Sequence, residues 1–227
     1  MNGLAWIREA GQEAQAWELK PSVGGNFGVA PFRGPIQRFE ALDRGQGAKG
    51  RAWMAAALGA LELPNLKPTD SHAASDYVQL VEQARQACAD GVLEKVVLSR
   101  RKAYHRSRVQ PWEAFERLAE AYPHATVFLI QTPGGSLWMG ATPECLTEVQ
   151  GAKVRTMSLA GTRLRGSQGA WGLKEREEQH VVTKDIVQML QALGVDQVQV
   201  EGPSVLEAGP VEHLCSHIEG RSAGLSA

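Results

Sequence analysis

Short β-type runs alternate with tight turns between residues 125 and 160, and this pattern constrains the fold more than any other feature of the sequence. The four runs are 125–132, 137–141, 146–149 and 153–160. Pro133-Gly134-Gly135-Ser136 separates the first two runs, and Gln150-Gly151 separates the last two. Because tight turns of this kind join antiparallel neighbours, the pattern predicts a largely antiparallel sheet.

Segments with helical spacing are inserted singly among these runs. Their apolar positions are Tyr77, Leu80, Val81, Ala84 and Cys88 in the first, Trp112, Phe115, Leu118 and Tyr122 in the second, and Val182, Ile186, Met189, Leu190 and Leu193 in the third. Gly91 is a stop signal for the first helix, and Pro111 is a start signal for the second. Further strands are predicted over 93–100, 197–201 and 211–218. Strands in series with single helices predict an α+β fold with antiparallel sheet layers and helices packed outside.

The chain is expected to divide into three segments. Residues 1–72 form a glycine-rich, irregular but β-rich N-terminal segment with short strand-like pieces such as 26–32. Prolines and polar residues cluster over 64–71, which indicates a linker. Residues 73–220 are the first part of the main domain, and 221–227 are a tail.

The charge balance and the composition exclude several classes of protein. The 227 residues carry 24 Lys+Arg against 25 Asp+Glu, without the basic excess typical of nucleic-acid binding. Hydrophobic residues make up 43% of the chain, yet no apolar run approaches the ~20 residues that span a bilayer. Three widely spaced cysteines fit neither a metal pair nor a disulfide framework. With no secretory leader at the start, a cytoplasmic protein is expected, with no nucleic-acid or membrane partner.

Lys95 and Glu144 are candidates for acid–base chemistry. Lys95 interrupts a β-branched run, and Glu144 follows Pro143, which stiffens the chain just before the acid. Both have an ordinary interpretation, as an exposed sheet lysine and a solvated turn glutamate. In the functional interpretation, burial lowers the pKa of the lysine until it can accept a proton and raises that of the acid until it can donate one.

Glu175 and Glu178 are candidate metal ligands, since residues three apart point from one face of a helix. The run Lys174–Glu178 is equally typical of a solvated helix surface. Two carboxylates on one face can nevertheless bind Mg²⁺ directly and through water. His180 lies nearby, but its spacing is poor evidence for zinc.

Gly161 and Thr162 end an alternating strand in the stretch MSLAGTRLRG (157–166). A strand-ending turn is one explanation. The other is a ligand that approaches the bare backbone at Gly161 closely, with Thr162 offering a hydroxyl.

Five blocks, taken in chain order, resemble the chorismate-utilising enzymes, which include isochorismate, salicylate, anthranilate and aminodeoxychorismate synthases. The blocks are EKVVLSR (94–100), FLIQTPGGSLWMGATPECL (128–146), VRTMSLAGTRLRG (154–166), LKEREEQHVVTKDI (173–186) and VEHLCSHIEG (211–220). Several ordered motifs are far more specific than any one of them. The resemblance covers about residues 76–220 and is strongest to the isochorismate synthase type.

The resemblance implies a role for each candidate residue. Lys95 is implied to activate water, and Glu144 to protonate the departing ring hydroxyl of chorismate. Ala160, Gly161 and Thr162 are implied to lie against the substrate. Glu178 is implied to bind Mg²⁺, with Glu175 assisting through water. Aminodeoxychorismate synthases carry a nucleophilic lysine at the position of Ala160, which argues against that branch.

Alternatives to this function stay open on the sequence. One alternative hypothesis is an enzyme of the salicylate or anthranilate synthase type. Another is a non-catalytic binding or assembly module. The product of an isochorismate synthase would feed menaquinone or siderophore synthesis. No oligomeric state is predicted.

The sequence also departs from the family pattern at particular places. Gln179 stands where relatives often have histidine, directly after the metal glutamate. Relatives continue past the last block with further substrate-binding residues and a second metal glutamate. We therefore expect an N-terminal portion of such an enzyme, with little activity from the 227-residue chain alone.

Overall fold

The computed structural model describes residues 2–30, 34–60, 74–100, 110–135, 137–222 and 224. In chain order the elements are β1 (Gly3–Arg8), β2 (Gln15–Pro21), β3 (Phe27–Val29), β4 (Gln37–Gln46), α1 (Gly47–Gly59), α2 (Ala74–Ala89), α3 (Pro111–Ala121), β5 (Thr126–Gln131), β6 (Leu137–Thr142), β7 (Glu148–Gln150), β8 (Lys153–Leu164), α4 (Leu173–Ala192), β9 (Asp196–Ala208) and β10 (Val211–Arg221). They fall into two compact units. The first comprises Met1–Pro64 and Arg108–Glu144, and the second comprises Asn65–Ser107 and Cys145–Ala227.

The first unit is built on a six-stranded antiparallel sheet in the order β3-β4-β2-β1-β5-β6. Strand β1 alternates its side chains between the two faces, as the strand period of two requires. Leu4 and Trp6 belong to one core cluster, and Ala5 belongs to the cluster on the opposite face. The rings of Trp6 and Phe115 meet edge to face with centroids 6.0 Å apart, which fastens α3 to the sheet.

The second unit is built on a four-stranded antiparallel sheet in the order β7-β8-β10-β9. The central pair β8 and β10 runs in register from Val211 opposite Leu164 to Arg221 opposite Lys153, with one irregularity. Helix α4 packs against β8, and the turn at Gly151 connects β7 to β8. The α+β class with largely antiparallel sheets, predicted from the sequence, is confirmed.

The predicted hairpins and helices are confirmed, although several elements are longer than predicted. The two hairpins form β5–β6 and β7–β8, and the last two predicted strands extend into the longer β9 and β10. Helices α2, α3 and α4 form at the three segments with helical spacing. The apolar stripes of α2 and α4 remain partly uncovered, since Leu80 and Val81 on α2, Met189 on α4 and Leu193 just after it are exposed.

The prediction of a strand over 93–100 is wrong. These residues have no regular secondary structure, and Val97 is 80% exposed. The β-branched run has a high strand propensity, but in the described part of the chain no strand pairs with it.

The N-terminal segment is more regular than expected, with β1 to β4 followed by helix α1. Helix α1 contacts the core through Gly50, Met54 and Leu58, which are four residues apart. Because one of the three is a glycine, the sequence does not show a clear apolar helical stripe there. The expected linker over 64–71 lies outside the described residues, as do Pro31 and Phe32 of the strand-like piece. No helix in the described ranges combines the length and apolar character needed to cross a membrane.

Candidate active site

Gly161 is the extra residue of a β-bulge between β8 and β10. Thr162 lies opposite His213, and Ala160 lies opposite the next residue, Leu214, so Gly161 has no residue of β10 opposite it. Its φ is +64°, in the left-handed region that glycine adopts without a steric penalty. Bulges bend a strand and redirect the side chains that follow, and here that side chain is Thr162.

The backbone of Gly161 also lies directly beneath helix α4. A Cβ atom at Gly161 would stand 3.3 Å from Cβ of Glu175 and 3.4 Å from its carbonyl oxygen. The close approach of strand and helix therefore explains the bare backbone at this position. It also brings together two residues that the sequence singled out separately, Gly161 and Glu175.

His213 is a member of this cluster that reasoning from the sequence missed. Its Nδ1 lies 3.2 Å from the carbonyl oxygen of Gly161 and 3.0 Å from Oγ1 of Thr162. A carbonyl oxygen can only accept, so the first contact is a hydrogen bond when Nδ1 carries the proton. The register that places His213 opposite Thr162 depends on the bulge at Gly161, and no local sequence pattern predicts that bulge.

Lys95 and Glu178, predicted from distant parts of the chain, form an ion pair. Lys95 Nζ lies 3.5 Å from Glu178 Oε1, and the two side chains are 23% and 32% exposed. Lys95 belongs to the irregular segment after α2 and lines an open groove of about 510 Å³ along the side of α4. The amine is thus held beside the carboxylate that the sequence predicted as a metal ligand.

Glu175 and Glu178 share a cationic neighbour. Lys174 Nζ lies 3.9 Å from Oε1 of Glu175 and 3.8 Å from Oε2 of Glu178, so both carboxylates reach the same ammonium. Mg²⁺ is commonly held by one or two carboxylates, with waters or substrate completing its shell. The described residues contain no group of three or more His, Cys, Asp or Glu that could hold a metal. Glu175 and Glu178 are two carboxylates on α4, and two carboxylates are enough protein ligands for Mg²⁺.

Gln179 anchors α4 to the sheet. Its side chain is only 2% exposed, and Nε2 lies 3.1 Å from the carbonyl oxygen of Ser158, 2.9 Å from Ser158 Oγ and 3.1 Å from Ser216 Oγ. Its other polar atom, Oε1, is buried without a hydrogen-bond partner in the described part of the chain. A buried acceptor left unpaired costs about 1–3 kcal/mol.

Arg163 organises the connection from β8 to α4. It donates from Nε to Glu212 and from an NH group to the carbonyl oxygen of Gly169 at 3.0 Å. Its guanidinium carbon lies 4.2 Å from the centre of the Trp171 ring, in a cation–π arrangement. Because these contacts occupy the guanidinium, Arg163 supports the loop over 165–172.

Glu144 lies just after the end of β6, in the first unit, and its side chain is exposed. Its backbone N–H donates to Thr142 Oγ1 at 3.2 Å, so a local turn holds the residue after Pro143. The other predicted site residues, including the buried Ala160, lie in the second unit. The roles of Lys95 as base and of Glu144 as acid stay predictions.

Comparison with known proteins identifies the family. The chain matches the family model described as chorismate binding enzyme over residues 56–226. This chain therefore belongs to the chorismate-binding enzyme family, as its ordered motifs predicted.

Relatives with different reactions match it to a similar degree. Anthranilate synthase component 1 of Streptomyces coelicolor is 30% identical over an alignment of 161 residues, which covers 66% of this chain and 31% of that protein. The salicylate biosynthesis isochorismate synthase of Pseudomonas aeruginosa is 28% identical over 159 residues, 66% of this chain and 32% of that protein. The chain thus spans about a third of the length of these relatives.

A solved structure confirms the fold. MenF, the menaquinone-specific isochorismate synthase of Escherichia coli, superposes with a TM-score of 0.68 over 97% of this chain and 65% of that chain, at 22% identity. The antiparallel sheets and helices described above are therefore those of an isochorismate synthase fold.

Proposed function

We propose that this chain is an isochorismate synthase-type enzyme, or a portion of one, that converts chorismate to isochorismate with Mg²⁺. The observation that carries the proposal is the 3.5 Å contact between Lys95 Nζ and Glu178 Oε1. The implied base and the implied metal ligand come from separate elements and meet at one place. Surface ion pairs of this kind are common, so the support lies in the identity of the two residues, which the family resemblance singled out independently.

Each residue has one task in this proposal. Lys95 takes a proton from the attacking water, which adds to one ring carbon as a hydroxyl leaves from another. Glu144 donates the proton with which that hydroxyl departs as water, so that substrate and product are isomers. General acid–base catalysis needs one group in each protonation state, which an amine and a carboxylic acid can supply.

The substrate and metal contacts complete the site. Gly161 and Thr162, with Ala160 before them, hold the substrate at the bulge of β8. Glu178 binds Mg²⁺, and Glu175 assists through water. When bound, Mg²⁺ supplies positive charge that neutralises the ring carboxylate of chorismate and orients the diene.

Two other reactions are rivals. Anthranilate synthase component 1 is among the relatives that match this chain, and the salicylate synthase type stays open from the sequence. The presence of Lys95 favours water as the nucleophile, since it can deprotonate water, whereas an anthranilate synthase uses ammonia. We propose isochorismate as the final product, for menaquinone or siderophore synthesis.

Because little activity is expected of the 227-residue chain alone, the test uses a full-length version of the enzyme. Its product from chorismate and Mg²⁺ in H₂¹⁸O is separated by chromatography and identified by mass spectrometry. We expect isochorismate that carries one ¹⁸O atom and that no longer forms when EDTA removes the metal. Salicylate, or anthranilate formed with ammonium, would replace the proposal with one of its rivals. Chorismate binding by calorimetry without any product would identify a non-catalytic module.

A further inference from the structure

Gln179 is the most unusual residue of helix α4. Of the residues of α4, all of which the structure describes, only Gln179 is buried. A helix normally covers a sheet with apolar side chains, whereas this one is fixed at its most buried point by an amide. Gln179 follows Glu178 directly and lies one turn after Glu175, so it sits between the site and the sheet.

The hydrogen bonds of Gln179 have a determined direction. Thr183 Oγ1 donates to the carbonyl oxygen of Gln179 at 2.9 Å, so in its 2.7 Å contact with Ser158 the threonine accepts. Ser158 Oγ therefore accepts from Gln179 Nε2, as does the carbonyl oxygen of Ser158. Because that carbonyl can only accept, the nitrogen of the amide must face the sheet.

Stability alone does not explain this amide. Its Oε1 is buried and unpaired within the described ranges, which is a cost that a residue without an acceptor would avoid. The donor side of the amide, in contrast, reaches both central strands, β8 through Ser158 and β10 through Ser216. These hydrogen bonds join the helix to the sheet, so they fix the rotation of α4 about its axis and its distance from the sheet.

We propose that Gln179 is a positioning residue that fixes the carboxylates of Glu175 and Glu178 for Mg²⁺. The proposal rests on the proposed function, in which these two residues bind the metal. Glu175, Gln179 and Thr183 are spaced by four, so they form one stripe of α4 above β8. Glu175 is thereby held above Gly161, and Glu178 is held beside Lys95.

The decisive variant is Gln179→Met, which keeps the length of the side chain and removes the N–H donor. Partners that orient metal ligands contribute roughly 10–100-fold to metal affinity. We expect Gln179→Met to weaken Mg²⁺ binding about 10-fold or more, measured by calorimetry with the metal alone. Gln179→His restores an N–H donor and should stay within about threefold of the parent chain.

Thr156→Val is the matched control. Thr156 is a buried residue of β8 that donates to the carbonyl oxygen of Leu146 at 2.7 Å and, in the described part of the chain, forms no hydrogen bond with α4. Its loss should lower the urea midpoint without changing the Mg²⁺ dissociation constant. Hydrogen exchange should accelerate in α4 for Gln179→Met and stay unchanged there for Thr156→Val.

The possible outcomes separate the two proposals. Unchanged Mg²⁺ affinity in a folded Gln179→Met chain overturns the positioning role and leaves the proposed function standing. If Gln179→His binds Mg²⁺ as weakly as Gln179→Met does, the N–H donor is not what positions the two carboxylates, and the proposed hydrogen-bond mechanism is overturned. If Gln179→Met does not fold, the double variant Ser158→Ala, Ser216→Ala removes both hydroxyl acceptors of Gln179 Nε2, and unchanged Mg²⁺ affinity in that variant overturns the role. A parent chain that binds no Mg²⁺ overturns the metal site and this inference with it.

Discussion

Lys95 Nζ lies 3.5 Å from Glu178 Oε1, and this contact joins an irregular segment to helix α4. Ion pairs between exposed side chains are worth little, typically about 0–1 kcal/mol. This pair contributes little to stability, so its significance is chemical. It places a potential base beside a potential metal ligand, and both assignments can be tested by substitution.

In a full-length version of the enzyme, Lys95→Ala should reduce the rate of isochorismate formation by about 100-fold or more, because general bases contribute roughly 10²–10⁴. The measurement is the initial rate at saturating chorismate and Mg²⁺. Lys184→Ala is the matched control, since Lys184 lines the same groove but forms no ion pair with Glu178 in the described part of the chain. Lys95 is not the base if its alanine variant keeps the parent rate.

Glu178→Gln should weaken Mg²⁺ binding by about 10-fold or more, since an amide removes the charge that the cation requires. Its neighbour Glu177 is exposed, so Glu177→Gln removes the same charge one residue away. Calorimetric titration of both variants with MgCl₂ gives the comparison. Equal weakening in the two variants would indicate only the net charge of the helix and would contradict a ligand role for Glu178.

Gly161→Ala should destabilise the chain more than Gly151→Ala. Both glycines have left-handed φ values, +64° and +58°, and an alanine there costs about 1–2 kcal/mol. A Cβ at Gly151 would meet no atom within 4 Å, whereas one at Gly161 would press on Glu175 at 3.3 Å. We expect an additional loss of about 1 kcal/mol or more from this crowding. Urea unfolding of the two variants measures the difference, and equal losses would mean that α4 moves away freely.

Local turn chemistry accounts for the parts of the fold that the sequence predicted well. Pro-Gly-Gly-Ser and Gln-Gly each join strands that are adjacent in the chain, so β5–β6 and β7–β8 required no knowledge of distant contacts. The N-terminal sheet was harder, because β1 pairs with β5, which lies more than a hundred residues later. Over 93–100 the propensity of single residues was misleading, since a strand also needs a partner.

In the site, too, sequence motifs identify single residues, whereas long-range packing decides which of them meet. Motif resemblance identified Lys95 and Glu178 individually, but their contact depends on where α4 packs. His213 was missed because its position opposite Thr162 follows from the bulge at Gly161. Long-range packing and strand register, which leave little trace in a local pattern, decide such contacts.

The stability of the first unit should depend on pH through Glu18. A hydrogen bond from Arg44, with a second from Asn2, holds the pKa of Glu18 below its ordinary value of 4.5. Because the folded-state pKa is lowered, the stabilisation is complete above 4.5 and is lost as the pH falls through the folded value. Arg44→Met should therefore be less stable than the parent chain near neutral pH, and the gap should close in acid. Urea unfolding at several pH values tests this, and a gap independent of pH would contradict it.

Arg163→Met should cost more stability than Arg165→Met, although both arginines form ion pairs in the same strand region. Arg165 pairs with Glu207 while more than half exposed, and such pairs contribute about 0–1 kcal/mol. Arg163 binds the largely buried Glu212 and stacks on Trp171, so its loss leaves a carboxylate without a partner. We expect a loss of about 1.5–3 kcal/mol for Arg163→Met. Arg163→Lys should recover only part of it, because an ammonium keeps the charge but cannot stack or donate as a planar fork. Urea unfolding gives the stabilities, and equal losses for the two arginines would show that the stacked arrangement adds nothing.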